Sequence, residues 1–268
     1  MSRLERKVAI ITGSSSGIGR AIATLYAKQG ALVVCSDLSP TARSEIPGET
    51  QIYTDALIQK EGGEAVFVKA DAGREKDMEN LVEEAVKRFG RVDIMVNNAG
   101  ISIESKNPNP IHTTSMETWD ETMRVNATSC FLGCKFAIQQ MLKQEPHPSG
   151  DRGWIVNISS IFGLVAGYDA PSYAASKGAV ANLTRQIAID YGKHRIHSNA
   201  ICPGFIRTAI FENTIRHMAT RDTLEERHPF GGTGTAEDVA KFAVTLASED
   251  AQWLTGQCIA VDGAYTAR

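Results

Sequence analysis

Tyr173 and Lys177 stand four residues apart in the run Tyr-Ala-Ala-Ser-Lys. On a helix, residues at i and i+4 share a face, so a phenol and an ammonium could converge on one point. A free tyrosine titrates near ~10, too high for a proton acceptor at neutral pH, and a neighbouring ammonium favours the phenolate. Such a pair could move a proton to and from an oxygen. Upstream, Asn157-Ile158-Ser159-Ser160 closes an apolar run and puts two hydroxyls at the end of a strand. A Tyr-x-x-x-Lys alone is a common chance pairing on helix surfaces.

A second group sits near the start. Thr12-Gly13-Ser14-Ser15-Ser16-Gly17-Ile18-Gly19 lies between the first apolar run and the first amphipathic one. Glycines there let a backbone turn tightly against a pyrophosphate, while the helix behind them offers amide donors and a positive dipole end. Asp37 closes the second apolar run, where a carboxylate can accept both hydroxyls of an adenosine ribose and repel a 2′-phosphate. Leu38 follows it and Ser16 precedes Gly17, so no basic residue stands at either position. That favours NAD over NADP; Arg43, five residues further on, is the one visible group that could pair with a 2′-phosphate. The same turn also spells Gly13-x-Ser15-x-Gly17, the nucleophile elbow of serine hydrolases. Against that rival, no HGGG-type oxyanion segment accompanies the turn and Asp37 is left unexplained. A P-loop is excluded, because no Gly-Lys-Ser/Thr follows.

The elements that must position these groups alternate. Residues 7–11, 31–36, 65–69, 93–97, 153–158, 196–201 and 257–261 read as strands rich in Val and Ile. Stretches 17–29, 50–61, 74–89, 115–143, 172–191 and 235–247 read as helices. Alternation of this kind predicts an α/β doubly wound sheet, mostly parallel and seven-stranded, with helices on both faces. No linker divides the 268 residues, so one domain is expected. Two connections are long, 38–48 and 206–234, and the second is placed as a substrate lid. Residues 101–111 would shape the pocket with it.

Hydrophobic residues make up 43% and charged residues 22%, with a net charge of -3. There is no basic excess for nucleic acid or a membrane surface and no run of membrane-spanning length. Five scattered cysteines without a CxxC imply reduced thiols and a cytoplasmic location. Cys130 and Cys134 read as small core side chains. The histidines offer no ligand grouping beyond His194-x-x-His197, so no metal is expected.

Together, the turn 12–19, Asn97-Asn98-Ala99-Gly100, Ser160 thirteen positions before Tyr173, Lys177, Pro203-Gly204 and the closing Thr255-Gly256-Gln257…Val261-Asp262-Gly263 closely resemble the short-chain dehydrogenase/reductase family. The resemblance covers essentially the whole chain. It implies that Tyr173 is the acid/base on a substrate oxygen, that Ser160 hydrogen-bonds that oxygen, and that Lys177 holds the nicotinamide ribose and lowers the tyrosine pKa. Asn126 would anchor a water in a proton relay, its other reading being a helix-bending polar residue. Gly13, Ser15, Ser16, Gly17, Ile18 and Gly19 would form the cofactor turn, with Asp37 and Leu38 at the adenosine ribose. Asp71 and Ala72 would meet the adenine. Asn98, Ala99 and Gly100 would line the ribose and sheet edge, and Pro203, Gly204, Ile206 and Thr208 the nicotinamide end. The implied reaction is hydride transfer between NAD(H) and a secondary alcohol or ketone, with sugars and cyclic alcohols among the options. A 3-oxoacyl-thioester reductase using NADPH is the runner-up, and a sensor without turnover stays open on the same fold. The family's usual pairing through the two long helices implies a homo-oligomer, dimer or tetramer. The apolar residues Phe131, Phe136, Ile138, Val180, Leu183 and Ile187 could serve core, interface or both.

Overall fold

The computed structural model describes residues 2–42 and 48–267, so Arg43 lies outside the described residues. Seven strands, β1 (Val8–Thr12), β2 (Leu32–Asp37), β3 (Glu64–Lys69), β4 (Ile94–Asn97), β5 (Gly153–Ile158), β6 (Ile196–Pro203) and β7 (Cys258–Val261), form one sheet in the order β3-β2-β1-β4-β5-β6-β7. Every pairing is parallel. β1, β4, β5 and β6 are buried along their whole length, which accounts for their lack of polar alternation. After β1 the chain winds toward β2 and β3; after β4 it winds the other way, so a crevice opens between the carboxyl ends of β1 and β4.

Strand side chains point alternately to the two faces. Ile11, Ile94 and Trp154 go to one core with α1 (Gly17–Lys28) and α9 (Ala236–Leu246), where Tyr26 donates to the Ala243 carbonyl at 2.8 Å. Ile10, Met95 and Ile155 go to the other, under α3 (Glu75–Phe89), α5 (Ser129–Met141) and α6 (Pro171–Tyr191). That second core takes up Cys130, Cys134, Phe136, Ile138, Val180 and Ile187, with Leu183 packed at its margin. Phe131 stays 52% exposed and is the one of that set left for a surface role.

Three expected elements differ from the sequence reading. The stretch 115–143 is not one helix: α4 (Met116–Met123) leads into a wide π turn, Arg124–Thr128, before α5 begins. Ser129 N–H reaches back five residues to the Arg124 carbonyl, and the Ser129 hydroxyl donates to Val125. The stretch 50–61 opens with a short 3-10 turn, Glu49–Gln51, and only then forms α2 (Thr54–Lys60). The connection 206–234 holds two helices, α7 (Ala209–His217) and α8 (Arg221–Glu226).

A polar knot sits at the sheet's amino edge, around buried Trp154. Asp93, fully buried, accepts from Val8 N–H at 2.8 Å, Arg91 at 2.6 Å and His147 at 2.9 Å. Asp151 takes His197 at 2.9 Å, and Lys7 Nζ lies 3.6 Å above the indole. His197 is thus a core residue with a carboxylate partner. Burial alone would raise the Asp93 carboxyl, but its three donors outweigh that and hold it below the usual range. A depressed carboxyl contributes stability above its unfolded pKa, near ~4, and loses it as pH falls through the folded value. Asp93→Asn should therefore lower the melting temperature most at pH 7, by about 1–3 kcal/mol of stability. The gap to wild type should close on acidification below pH ~4. Thermal unfolding across pH 3–7 checks this; a constant gap would show that the carboxylate's charge contributes nothing.

Candidate active site

The turn after β1 and the turn after β4 are locked together. Asn98 Nδ2 donates to the carbonyls of Thr12 at 2.9 Å and Gly13 at 3.1 Å. Thr12 Oγ1 accepts from the backbone N–H of Asn98 and of Ala99, both at 3.1 Å. Gly13 has φ +66, and a Cβ there would sit 2.9 Å from Asn98 Nδ2. A Cβ on Gly19 would collide with the Gly13 carbonyl, so α1 can approach β1 only through glycine. Gly17, with φ +55, opens α1 and gives its N–H to the Glu49 carboxylate, at 3.2 Å and 3.1 Å from the two oxygens.

A cleft of about 890 Å³ runs along this edge. Gly13, Ser16, Gly17, Ile18, Asp37 and Leu38 line one end; Asp71, Ala72, Asn98, Ala99 and Gly100 follow; Ser160, Tyr173, Lys177, Pro203, Gly204 and Ile206 line the other, and Thr208 comes back against Gly17. Ser15, Gly19 and Asn126 stand behind the wall rather than in it. Ser15 donates its hydroxyl to the Ser39 carbonyl at 2.6 Å, a bond unlike that of a nucleophile to a histidine. Its N–H and that of Leu38 are accepted by the Asp37 carboxylate at 3.2 Å and 2.8 Å.

At the other end Tyr173 lies beside Ser160, whose hydroxyl favours ionisation of the phenol. Ser160 also accepts the Phe162 N–H at 3.1 Å, whereas Ser159 donates to the Lys177 carbonyl at 2.8 Å and is spent on the helix backbone. Lys177 Nζ donates to the Ile158 carbonyl at 2.8 Å and lies 5.7 Å from the Tyr173 ring centre. Burial lowers this ammonium to about 8. The tyrosine itself departs from the sequence expectation: burial raises it above its ordinary value, and the Ser160 bond pulls the other way. The reason is geometric, since the lysine's bond goes to Ile158 rather than to the phenol. Asn126 bonds Ile101 through both its N–H at 2.8 Å and its carbonyl at 2.9 Å, and bonds Ser176 at 3.0 Å.

Two contributors carry no spacing signal in the sequence. Glu104, fully buried, accepts the N–H of Ser172 and of Tyr173, each at 2.9 Å, and so caps α6 at the residue that matters. Arg124 holds both oxygens of Asp71 at 3.0 Å and pairs with Glu121 at 2.8 Å. Gly73 leaves the room for it, because a Cβ would strike that guanidinium. Among the described residues, no group of three His, Cys, Asp or Glu is arranged to hold a metal ion. No helix among them is long and apolar enough to cross a membrane.

A family model described as enoyl-(acyl carrier protein) reductase matches residues 13–266. The chain belongs to the short-chain dehydrogenase/reductase family. It is 38% identical to 2-(R)-hydroxypropyl-CoM dehydrogenase of Xanthobacter autotrophicus, over 97% of this chain and 99% of that one. It is 35% identical to 2,5-dichloro-2,5-cyclohexadiene-1,4-diol dehydrogenase of Sphingobium indicum, over the full length of both. The crystal structure of levodione reductase superimposes with a TM-score of 0.88 at 30% identity, covering 99% of each chain. Membership makes the protein an oxidoreductase, and dehydrogenases of this family use a nicotinamide cofactor. The glycine cradle and the volume of the cleft fit such a group.

Gly19→Ala should remove dinucleotide binding while leaving the fold assembled, because the added methyl separates α1 from the Gly13 carbonyl. Overpacking of this kind costs about 1–3 kcal/mol. Calorimetric titration with NAD alongside circular dichroism checks both halves; unaltered affinity would show that the close approach is dispensable.

Proposed function

We propose that this short-chain dehydrogenase/reductase interconverts a secondary alcohol and its ketone with NAD(H), with Tyr173 as acid/base. The observation that carries the reading is the convergence of Ser160, Tyr173 and the buried Lys177 ammonium, 5.7 Å from the tyrosine ring centre, on one glycine-cradled cleft. In oxidation, the Tyr173 oxygen takes the hydroxyl proton and Ser160 donates to the same substrate oxygen. The cofactor, when bound, accepts the hydride that leaves the carbinol carbon. Lys177 holds positive charge near the phenol as it ionises, opposing the penalty of burial. Asn126 fixes the backbone at Ile101 and, through Ser176, the helix that carries Tyr173. In reduction the same groups run backwards.

The two relatives are named as dehydrogenases of a hydroxypropyl group and of a cyclic diol, which favours this reading over a thioester reductase. Asp37 favours NAD. It ends β2 in the cleft, and its charge would face a 2′-phosphate. The proposal also takes residues 1–268 as one catalytic unit with its lid near 206–234, in the cytoplasm, as a homo-oligomer. Half-exposed Phe131 on α5 and exposed Ile189 on α6 are consistent with pairing there.

Tyr173→Phe should keep NAD affinity and lose activity by about 10²–10⁴-fold, since only the proton-carrying oxygen goes. A panel of secondary alcohols, sugars and ketones followed by nicotinamide absorbance measures it. A variant with half the wild-type rate would remove Tyr173 from the chemistry.

Cofactor choice rests on one charge. At ~4 Å and an effective dielectric of about 20, each unit pair costs on the order of 4 kcal/mol before screening. Even a third of that is about tenfold. Asp37→Ala should weaken NAD and relieve NADP, narrowing the ratio of kcat/KM from both sides. If wild type prefers NADP and loses that preference in Arg43→Ala, the choice belongs to Arg43.

A further inference from the structure

The first turn of α1 has no acid of its own, and Ser16 at its start makes no side-chain cap. Its first amide is nevertheless satisfied. Both oxygens of Glu49 lie within bonding distance of the Gly17 N–H, at 3.2 Å and 3.1 Å, from 32 residues further along the chain. Gly17 itself lines the cleft at the amino end of α1, where a dinucleotide's pyrophosphate would lie.

The placement of Glu49 is built rather than incidental. Gly48, immediately before it, takes the left-handed φ of +90 that starts the 3-10 turn Glu49–Gln51. Five residues beyond Glu49, Thr54 is buried and donates its hydroxyl to the Ser14 carbonyl, in the glycine turn itself, at 2.8 Å. Arg20 of α1 donates to the same hydroxyl at 3.0 Å. Thr54 therefore moors the segment to the very turn whose N–H Glu49 occupies. A tether this short keeps the carboxylate's local concentration high. A carboxylate and a phosphate are alike as charged oxygen acceptors, and one N–H cannot serve both at full strength.

We propose that Glu49 is a built-in competitor of the dinucleotide's pyrophosphate, seated on the first amide of α1, and that it weakens binding of every ligand with phosphate at that point. The proposal rests on the cofactor reading given above. Binding displaces the carboxylate to solvent, and the apparent affinity falls by the fraction of molecules in which the amide is free. No bond is made or broken, so the effect is confined to affinity.

The test measures dissociation constants for NADH, ADP and adenosine, by nucleotide fluorescence for the first and calorimetry for the others. Wild type is compared with Glu49→Ala, Glu49→Gln and the distant, exposed Glu237→Ala. The expectation is about tenfold tighter NADH and ADP in Glu49→Ala. Glu49→Gln should gain less, because its amide oxygen remains a neutral acceptor. Adenosine should be unchanged, and Glu237→Ala should match wild type for all three ligands. Should Glu49→Ala lose its fold, Glu49→Gln carries the comparison alone. Tighter ADP with no NADH binding in any protein would keep the competitor and reject the cofactor reading. Unchanged or weaker ADP in both Glu49 variants would overturn the competitor while leaving the cofactor reading intact. An equal gain for adenosine would also overturn it, since the effect would then not pass through phosphate.

Discussion

The carboxyl edge of the sheet depends on the contact of Asn98 with the carbonyls of Thr12 and Gly13. Parallel strands β1 and β4 release their chains in opposite directions, which would leave unpaired peptide groups facing the crevice. One side-chain amide and one threonine hydroxyl satisfy four of them within 3.1 Å. Unmade, such bonds cost about 1–3 kcal/mol each. With the two turns bound, α1 sits at a fixed height above β1 and the crevice keeps its width. Glycine at 13 and 19 is the steric condition for that arrangement.

The other end of the cleft is held by polar groups bonded to the backbone around it. Glu104 caps α6, Asn126 reaches Ser176 on that helix, and Ser159 and Lys177 exchange bonds across it to β5. A buried ammonium without acceptors would be expensive. Here the carbonyl of Ile158 supplies one, and the desolvation that remains is what brings Lys177 down toward neutrality. The position of the phenol is therefore set by backbone partners, and its acidity by how deeply they hold it.

Much of the fold was legible because unbroken Val- and Ile-rich runs and period-3.6 apolar patterns report burial directly. Ile10 and Ile11 feed opposite cores, as a two-sided parallel strand requires. The glycine turn, Asp37, Ser160, Tyr173 and Lys177 were visible because their spacing is local or their order distinctive, and all five motifs reach the same edge. Contacts made across long sequence distance were not legible. Nothing near Glu104, Arg124 or Glu49 announces partners 68, 53 and 32 residues away. Helix α7 escaped notice because two of its four buried residues, Asn213 and Thr214, are polar, and α8 because its six residues bury only Leu224. The phenol's raised pKa could not be foreseen from an i,i+4 pair, since spacing fixes a face but not which acceptor an ammonium chooses.

The wide turn at Arg124–Thr128 shows how one residue can divide the demands of folding from those of the site. A π turn is in effect a single-residue insertion into a helix, kept at the loss of some regular pairing. Removing one residue there would restore a regular ladder, which the helix itself would accept. Each residue, however, rotates an α-helix by about 100°. The deletion would turn the side chains before the splice away from those after it, so Arg124 could not meet Asp71 while α5 kept its seat on the sheet. In this stretch, chain length is a functional coordinate in its own right: shortened versions could fold well and still have their two halves out of phase.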